Sequence, residues 1–79
     1  MIPEFCRVYF WDADWEDLNR NQEKYSKFII TRLADKGDIQ QVRWLVSQYG
    51  LKKVAETAAN SSKVTDKTRN FWSHVAEMA

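Results

Sequence analysis

The sequence predicts an all-α fold: a compact bundle of four to five short helices with an N-terminal arm that is both aromatic and acidic. Three observations predict it. Apolar residues recur at three- and four-residue spacing through most of the chain beyond residue 21. The two glycines, Gly37 and Gly50, fall where apolar stripes end. Four tryptophans, four phenylalanines and three tyrosines crowd a chain of 79 residues, while a domain of that length buries only about 60% of the surface its unfolded chain exposes. The rings exceed the interior available, so some of them face a partner. The chain reads as one helical domain over residues 1–79, with an arm at 1–20 and the bundle at 21–79.

The arm contains Tyr9-Phe10-Trp11-Asp12-Ala13-Asp14. It reads as an extended Tyr9-Phe10-Trp11 followed by a short helical turn through Trp15 and Leu18, capped by Asp14. Residues 22–36 place Tyr25, Phe28, Ile29 and Leu33 on one stripe widened by Ile30. Asn19 with Gln22 supplies a cap for that helix, and Gly37 a left-handed residue to end it. Asp38 caps the next helix with Gln41 as reciprocal partner, and Ile39, Val42, Leu45, Val46 and Tyr49 line its inner face up to Gly50. Residues 51–60 present Leu51, Val54, Ala55, Ala58 and Ala59, small enough to let a neighbouring backbone approach. After the polar Asn60-Ser61-Ser62-Lys63, Thr65 caps a last helix whose Phe71, Trp72 and Val75 share a face with Thr68 and Met78.

Helical angles single out Arg32 and Trp44. At about 100° per residue, Arg32 falls inside the apolar arc formed by Tyr25, Phe28 and Ile29. A guanidinium there requires a partner, because an unpaired buried charge costs several kcal/mol. The arm offers Asp12 or Asp14, with Arg32–Asp12 the expected ion pair; the alternative is a stem on the core edge with its head in water. Trp44 points away from the Leu45 stripe, among Gln40, Gln41 and Gln48. Either the arm packs Phe10, Trp11 or Trp15 against it, or the indole waits for another protein.

Composition narrows the chemistry. With 44% hydrophobic and 29% charged residues the chain is globular rather than disordered. No apolar run is long enough to span a bilayer, and Met1-Ile2-Pro3-Glu4-Phe5 lacks a signal-peptide pattern, so the expected location is the cytoplasm. One cysteine, Cys6, and one histidine, His74, provide no metal spacing; Cys6 reads as an inert packed thiol. No metal, cofactor or catalytic residue is expected. Net charge is +1, yet residues 1–23 hold six acids against two arginines and residues 52–69 hold five cations against two acids. Different faces therefore suit different neighbours, unless both are simply solvated.

Several runs carry a resemblance: Tyr9-Phe10-Trp11-Asp12-Ala13-Asp14, Phe28-Ile29-Ile30-Thr31-Arg32, Gly37-Asp38, Arg43-Trp44-Leu45, Tyr49-Gly50 and Lys67-Thr68-Arg69-Asn70-Phe71-Trp72. In this order, over about residues 5–73, the chain resembles a family of short bacterial and archaeal proteins whose genes commonly sit beside nucleotidyltransferase-type toxin genes of the AbiEii class. It departs at Val64-Thr65-Asp66, where that family tends to have Leu-Ser-Pro, and at Thr31, where an acid is frequent. The resemblance implies an antitoxin-like partner of a toxin. It supplies no activity and no catalytic residue.

Three functions follow as expectations. The first is a protein-binding module, with Trp11, Asp12, Asp14, Trp15 and Trp44 as its contact residues and the acidic arm lying on a basic surface of a nucleotidyltransferase-type toxin. The second is a helix-turn-helix DNA-binding autoregulator over residues 51–77, using Lys63, Lys67, Arg69 and Asn70. Asp66 and the long glycine-free turn weigh against it. An enzyme built on His74 with Ser73 and Glu77 ranks last, since a lone histidine at a helix C-terminus reads as a surface residue facing the dipole. Exposed tryptophan on so small a domain also allows a homodimer.

Overall fold

The computed structural model describes residues 1–78. A 3-10 helix at Glu4–Phe10 precedes α1 (Trp15–Arg20), α2 (Ser26–Lys36), α3 (Ile39–Tyr49), α4 (Leu51–Ala59) and α5 (Asp66–Met78). The chain is an all-α bundle of short helices, with no strand among the described residues.

The arm is helical where an extended run was expected. No strand lies beside residues 4–10, so their amides must bond locally: Cys6 N–H donates to the Pro3 carbonyl and Ala13 N–H to the Phe10 carbonyl, each at 3.0 Å. A 3-10 helix has three residues per turn, so positions three apart lie in line. Cys6 is fully buried on the inner row, with Pro3 and Tyr9 half-buried above and below it. Phe5, Val8 and Trp11 form the outer row, all exposed. The arm is also part of the core rather than a cover for it: Ile2, Cys6, Phe10 and Leu18 belong to the same cluster as Ile29, Ile30, Leu33, Leu45, Val54, Ala55, Ala58 and Trp72.

Asp14 caps α1 as expected, accepting from Glu16 N–H at 3.1 Å and Asp17 N–H at 3.2 Å. Asn19 does not cap α2. Its Oδ1 accepts from the Ile2 amide at 2.6 Å, and its Nδ2 donates to the Trp15 carbonyl at 2.9 Å. The buried Ile2 needs a partner for its N–H, and that demand overrides a helix start. Residues 21–25 are turns instead, and α2 begins four residues later than expected, at Ser26.

The two glycines act for different reasons. Gly37 has φ −76° and ψ 163°, extended rather than left-handed. Its lack of a side chain serves space: a Cβ there would stand 2.5 Å from the Leu33 carbonyl oxygen and 2.9 Å from Gln41 Cβ. Gly50 has φ +88° with open space around it, ends α3 and begins α4. Its requirement is torsional.

The capping box of Asp38 and Gln41 is in place, Gln41 Oε1 accepting from the Asp38 amide at 2.8 Å. The inner face of α3 is narrower than expected, since Ile39 is 66% exposed while Gln41 is buried with Leu45. Gln41 earns that place through Nε2, which donates to the Phe5 carbonyl at 2.8 Å and pins the arm. α4 lies against α2, α3 and α5, most extensively α5; Val54, Ala55 and Ala58 are wholly buried and Leu51 is exposed. On α5 only Trp72 is buried, with Val75 at the core edge, and Phe71 and Met78 face outward against expectation. Neighbouring residues on a helix point about 100° apart, so Phe71 and Trp72 cannot both enter a narrow interface.

Thr65 holds the start of α5. Its Oγ1 accepts from Thr68 N–H at 3.4 Å, and its own hydroxyl and amide donate to Asp35 Oδ1 at 2.9 and 3.2 Å. The side chain of Asp35, near the end of α2, is 6% exposed there. Burial pushes its carboxyl up, but the hydrogen bonds from Thr65 and Thr68 and the nearby Lys36 more than offset this and leave the pKa lowered. The radius of gyration is 11.7 Å, close to the value of about 11.6 Å for a compact chain of this length.

Candidate partner-binding surface

The five residues expected to meet a partner do not share one role. Trp11 is 83% exposed at the end of the 3-10 helix. The residues on either side of it are fixed: Arg32 donates from one NH group to the Tyr9 carbonyl at 3.0 Å and to Asp12 Oδ1 at 2.8 Å, and from the other to Asp12 Oδ2 at 3.1 Å. This is the forked Arg32–Asp12 pair expected from the helical angle. Arg32 also lies over the Phe28 ring, 4.8 Å from its centroid. The hydrogen bond from Arg32 holds the Asp12 carboxyl below its ordinary value.

Asp14 is spent on the α1 cap. Trp15 is half-buried, 6.1 Å from Phe10, with Arg7 5.8 Å above its ring. Phe10 in turn stands 5.7 Å from Phe28. None of these rings pairs with Trp44. That indole is half-buried and meets Tyr49 edge-on at 6.1 Å, so its partner lies five residues along its own helix. The Tyr49 hydroxyl is buried without a hydrogen bond, and burial raises its pKa.

The acidic arm is therefore less acidic at its surface than its composition indicates. Glu4 pairs with Arg7 at 3.1 Å and Glu16 with Arg20 at 3.7 Å. Asp17 accepts from the Tyr25 hydroxyl at 2.6 Å and from Asn21 at 2.8 Å; the Tyr25 bond leads the causes that lower its pKa. What the arm does present is its outer row, Phe5, Val8 and Trp11. Of that row the sequence singled out Trp11 alone, since Phe5 and Val8 come into line with it only at the three-residue period of a 3-10 helix.

Of the four cationic and polar residues expected to meet DNA, Lys63, Lys67 and Asn70 are exposed. Arg69 is half-buried and donates to the Val64 carbonyl at 3.1 Å and Asp66 at 2.8 Å, so its guanidinium braces the turn before α5. His74 is exposed, and the Ser73 hydroxyl bonds back to the Arg69 carbonyl at 2.9 Å. Among the described residues no group of histidine, cysteine or carboxylate side chains is placed to hold a metal ion, and no helix is long and apolar enough to cross a membrane. Burial pushes the Cys6 thiol up to about 11.

A family of unknown function, DUF6922, matches residues 5–58. The chain belongs to that family. The matched stretch runs from the arm through most of α4 and includes Trp11, Asp12, Arg32, Gln41 and both glycines; α5 lies beyond it. Neither the curated proteins nor the solved structures yield a match.

Proposed function

We propose that this protein is a non-catalytic protein-binding module, acting in the cytoplasm as the antitoxin-like partner of a nucleotidyltransferase-type toxin of the AbiEii class. It docks through the outer row of its arm, with Trp11 as the anchor. The observation that supports this most is an indole 83% exposed on a backbone clamped on both sides by Arg32. An anchor held in position before binding loses little freedom on docking, and an interface tryptophan of this kind contributes about 2 kcal/mol or more. The resemblance to proteins encoded beside such toxins supplies the class of partner. Trp15 and Trp44 serve this surface indirectly, by holding Phe10 and α3 in place.

Co-expression with the AbiEii-class nucleotidyltransferase of the same genome tests the reading. A complex that survives purification at micromolar concentration, together with relief of growth inhibition, is the expected result. No association at that concentration would overturn it.

A further inference from the structure

Two shallow grooves, of about 600 and about 650 Å³, meet along α2. Phe28, Thr31 and Lys63 line both, so together they make one trough. It runs from Val8 and Trp11 on the arm, across α2, to the polar turn that precedes α5. Its charge differs from that of its surroundings. Five cations and three carboxylates line it, a net +2; the whole chain is +1, so the rest of the molecule is net −1.

Internal pairing sharpens the contrast. Arg32 is matched by Asp12 at 2.8 Å and Lys36 by Asp35 at 3.5 Å. Among the described residues Lys24, Lys27 and Lys63 have no carboxylate within ion-pair distance. Glu56 is the one carboxylate of the trough left to offset these three ammonium groups. Of the acids of the arm, Glu4, Asp12 and Glu16 are paired with Arg7, Arg32 and Arg20, and Asp12 is the one that lines the trough. The charge this face offers a neighbour is positive, opposite to what the arm's composition suggests.

We propose that the trough takes an extended acidic peptide segment of the protein partner, with an apolar side chain on Trp11 and Val8 and carboxylates over Lys27 and Lys63. Thr57, Asn60 and Ser61 line the far end and supply hydrogen-bonding groups for the peptide's main chain. A single-stranded nucleic acid is the other anionic polymer of suitable width, and it needs open rings on which bases stack. The trough does not offer them in series. Phe28 is covered by Arg32 at 4.8 Å and flanked by Phe10 at 5.7 Å; Tyr25 carries Lys24 at 5.3 Å and gives its hydroxyl to Asp17. Tyr9, the remaining ring, is half-buried on the inner row of the 3-10 helix, so Trp11 alone among the trough's rings is exposed. The inference rests on the reading of the chain as a protein-binding module, and it names the chemistry of the segment bound.

The test titrates the full chain with a fluorescein-labelled peptide alternating glutamate and leucine and ending in phenylalanine, beside its lysine-for-glutamate counterpart and a labelled oligo-dT. Saturable binding of the acidic peptide alone is expected at low salt. It should weaken about tenfold in a Lys27→Glu, Lys63→Glu double variant and by less than about twofold in Lys52→Glu, Lys53→Glu, whose lysines stand on α4 outside the trough. Circular dichroism confirms that both variants keep their helices. Absence of acidic-peptide binding up to about 1 mM, equal losses in the two double variants, or tighter trough-dependent binding of oligo-dT would each overturn the proposal. Because the probe is not the toxin, the outcomes separate: peptide binding without a toxin complex removes the toxin and keeps the trough, and a toxin complex indifferent to the trough variants does the reverse.

Discussion

Arg32 links the arm to the bundle. Its guanidinium reaches a backbone carbonyl and a carboxylate twenty or more residues away, which only a planar five-donor group does in one geometry. Arg32→Leu should lower the melting temperature by roughly 5 °C, equivalent to about 1 kcal/mol in a domain of this size. Arg32→Lys should recover less than half of that; thermal melts of the two variants check it. Asp35, Asp12 and Asp17 supply a pH signature. Each has a folded pKa lowered below its ordinary value, so each contributes stability that is complete above the unfolded value, about pH 4, and lost as pH falls through the lower folded one. Urea midpoints should be level from neutral pH to about pH 5 and decline steadily below about pH 4, and Asp35→Asn should shallow that decline. Sequence reasoning found the Arg32–Asp12 pair because a charge inside an apolar arc must be answered from somewhere. It could not find the Asn19–Ile2 or Gln41–Phe5 bonds, because amides that satisfy distant backbone groups leave no periodic trace.

At the scale of elements, the glycines separate crowding from torsion. Gly37→Ala places a methyl against the Leu33 carbonyl and Gln41, and should destabilise by about 1–3 kcal/mol through displaced backbone. Gly50→Ala has room but forces an L residue to φ +88°, at a cost of about 1–2 kcal/mol. A synthetic chain with D-alanine at 50 should regain stability, because a positive φ suits a D residue, while D-alanine at 37 should not. Denaturation of the four chains distinguishes the two mechanisms. The positions of both glycines and the capping box of α3 were legible in the sequence. That Gly37 is needed for space was not, since the atoms crowding it, the Leu33 carbonyl and Gln41 Cβ, come together only when α2 and α3 pack. Over the 3-10 helix the sequence predicts only an extended Tyr9-Phe10-Trp11, because a single short 3-10 helix leaves no three- and four-residue apolar stripe. Its true period of three emerges only once no strand is present to pair with it.

For the molecule as a whole, the arm is part of the core and not a detachable tail. Cys6 reports on this directly: it is wholly buried and its thiol is pushed up to about 11. An aromatic disulfide reagent at mildly alkaline pH should label the native protein only as fast as the bundle unfolds, with the same dependence on urea. Fast labelling in the absence of urea would show the arm opening alone. This integration leaves Phe5, Val8 and Trp11 as a fixed apolar row beside a trough with three unpaired lysines. The sequence named Trp11, Trp15 and Trp44 together as outward rings without separating them. Trp15 and Trp44 found partners at 6.1 Å, whereas Trp11 did not.

The most direct measurement is the affinity for the proposed nucleotidyltransferase partner of Trp11→Ala beside Trp44→Ala, each compared with the native chain by titration calorimetry. Trp11→Ala should bind at least about tenfold more weakly with its melting temperature unchanged, while Trp44→Ala loses stability first and affinity only in proportion. A Trp11→Ala protein that binds as tightly as the native chain would contradict the assignment of the arm as the docking surface.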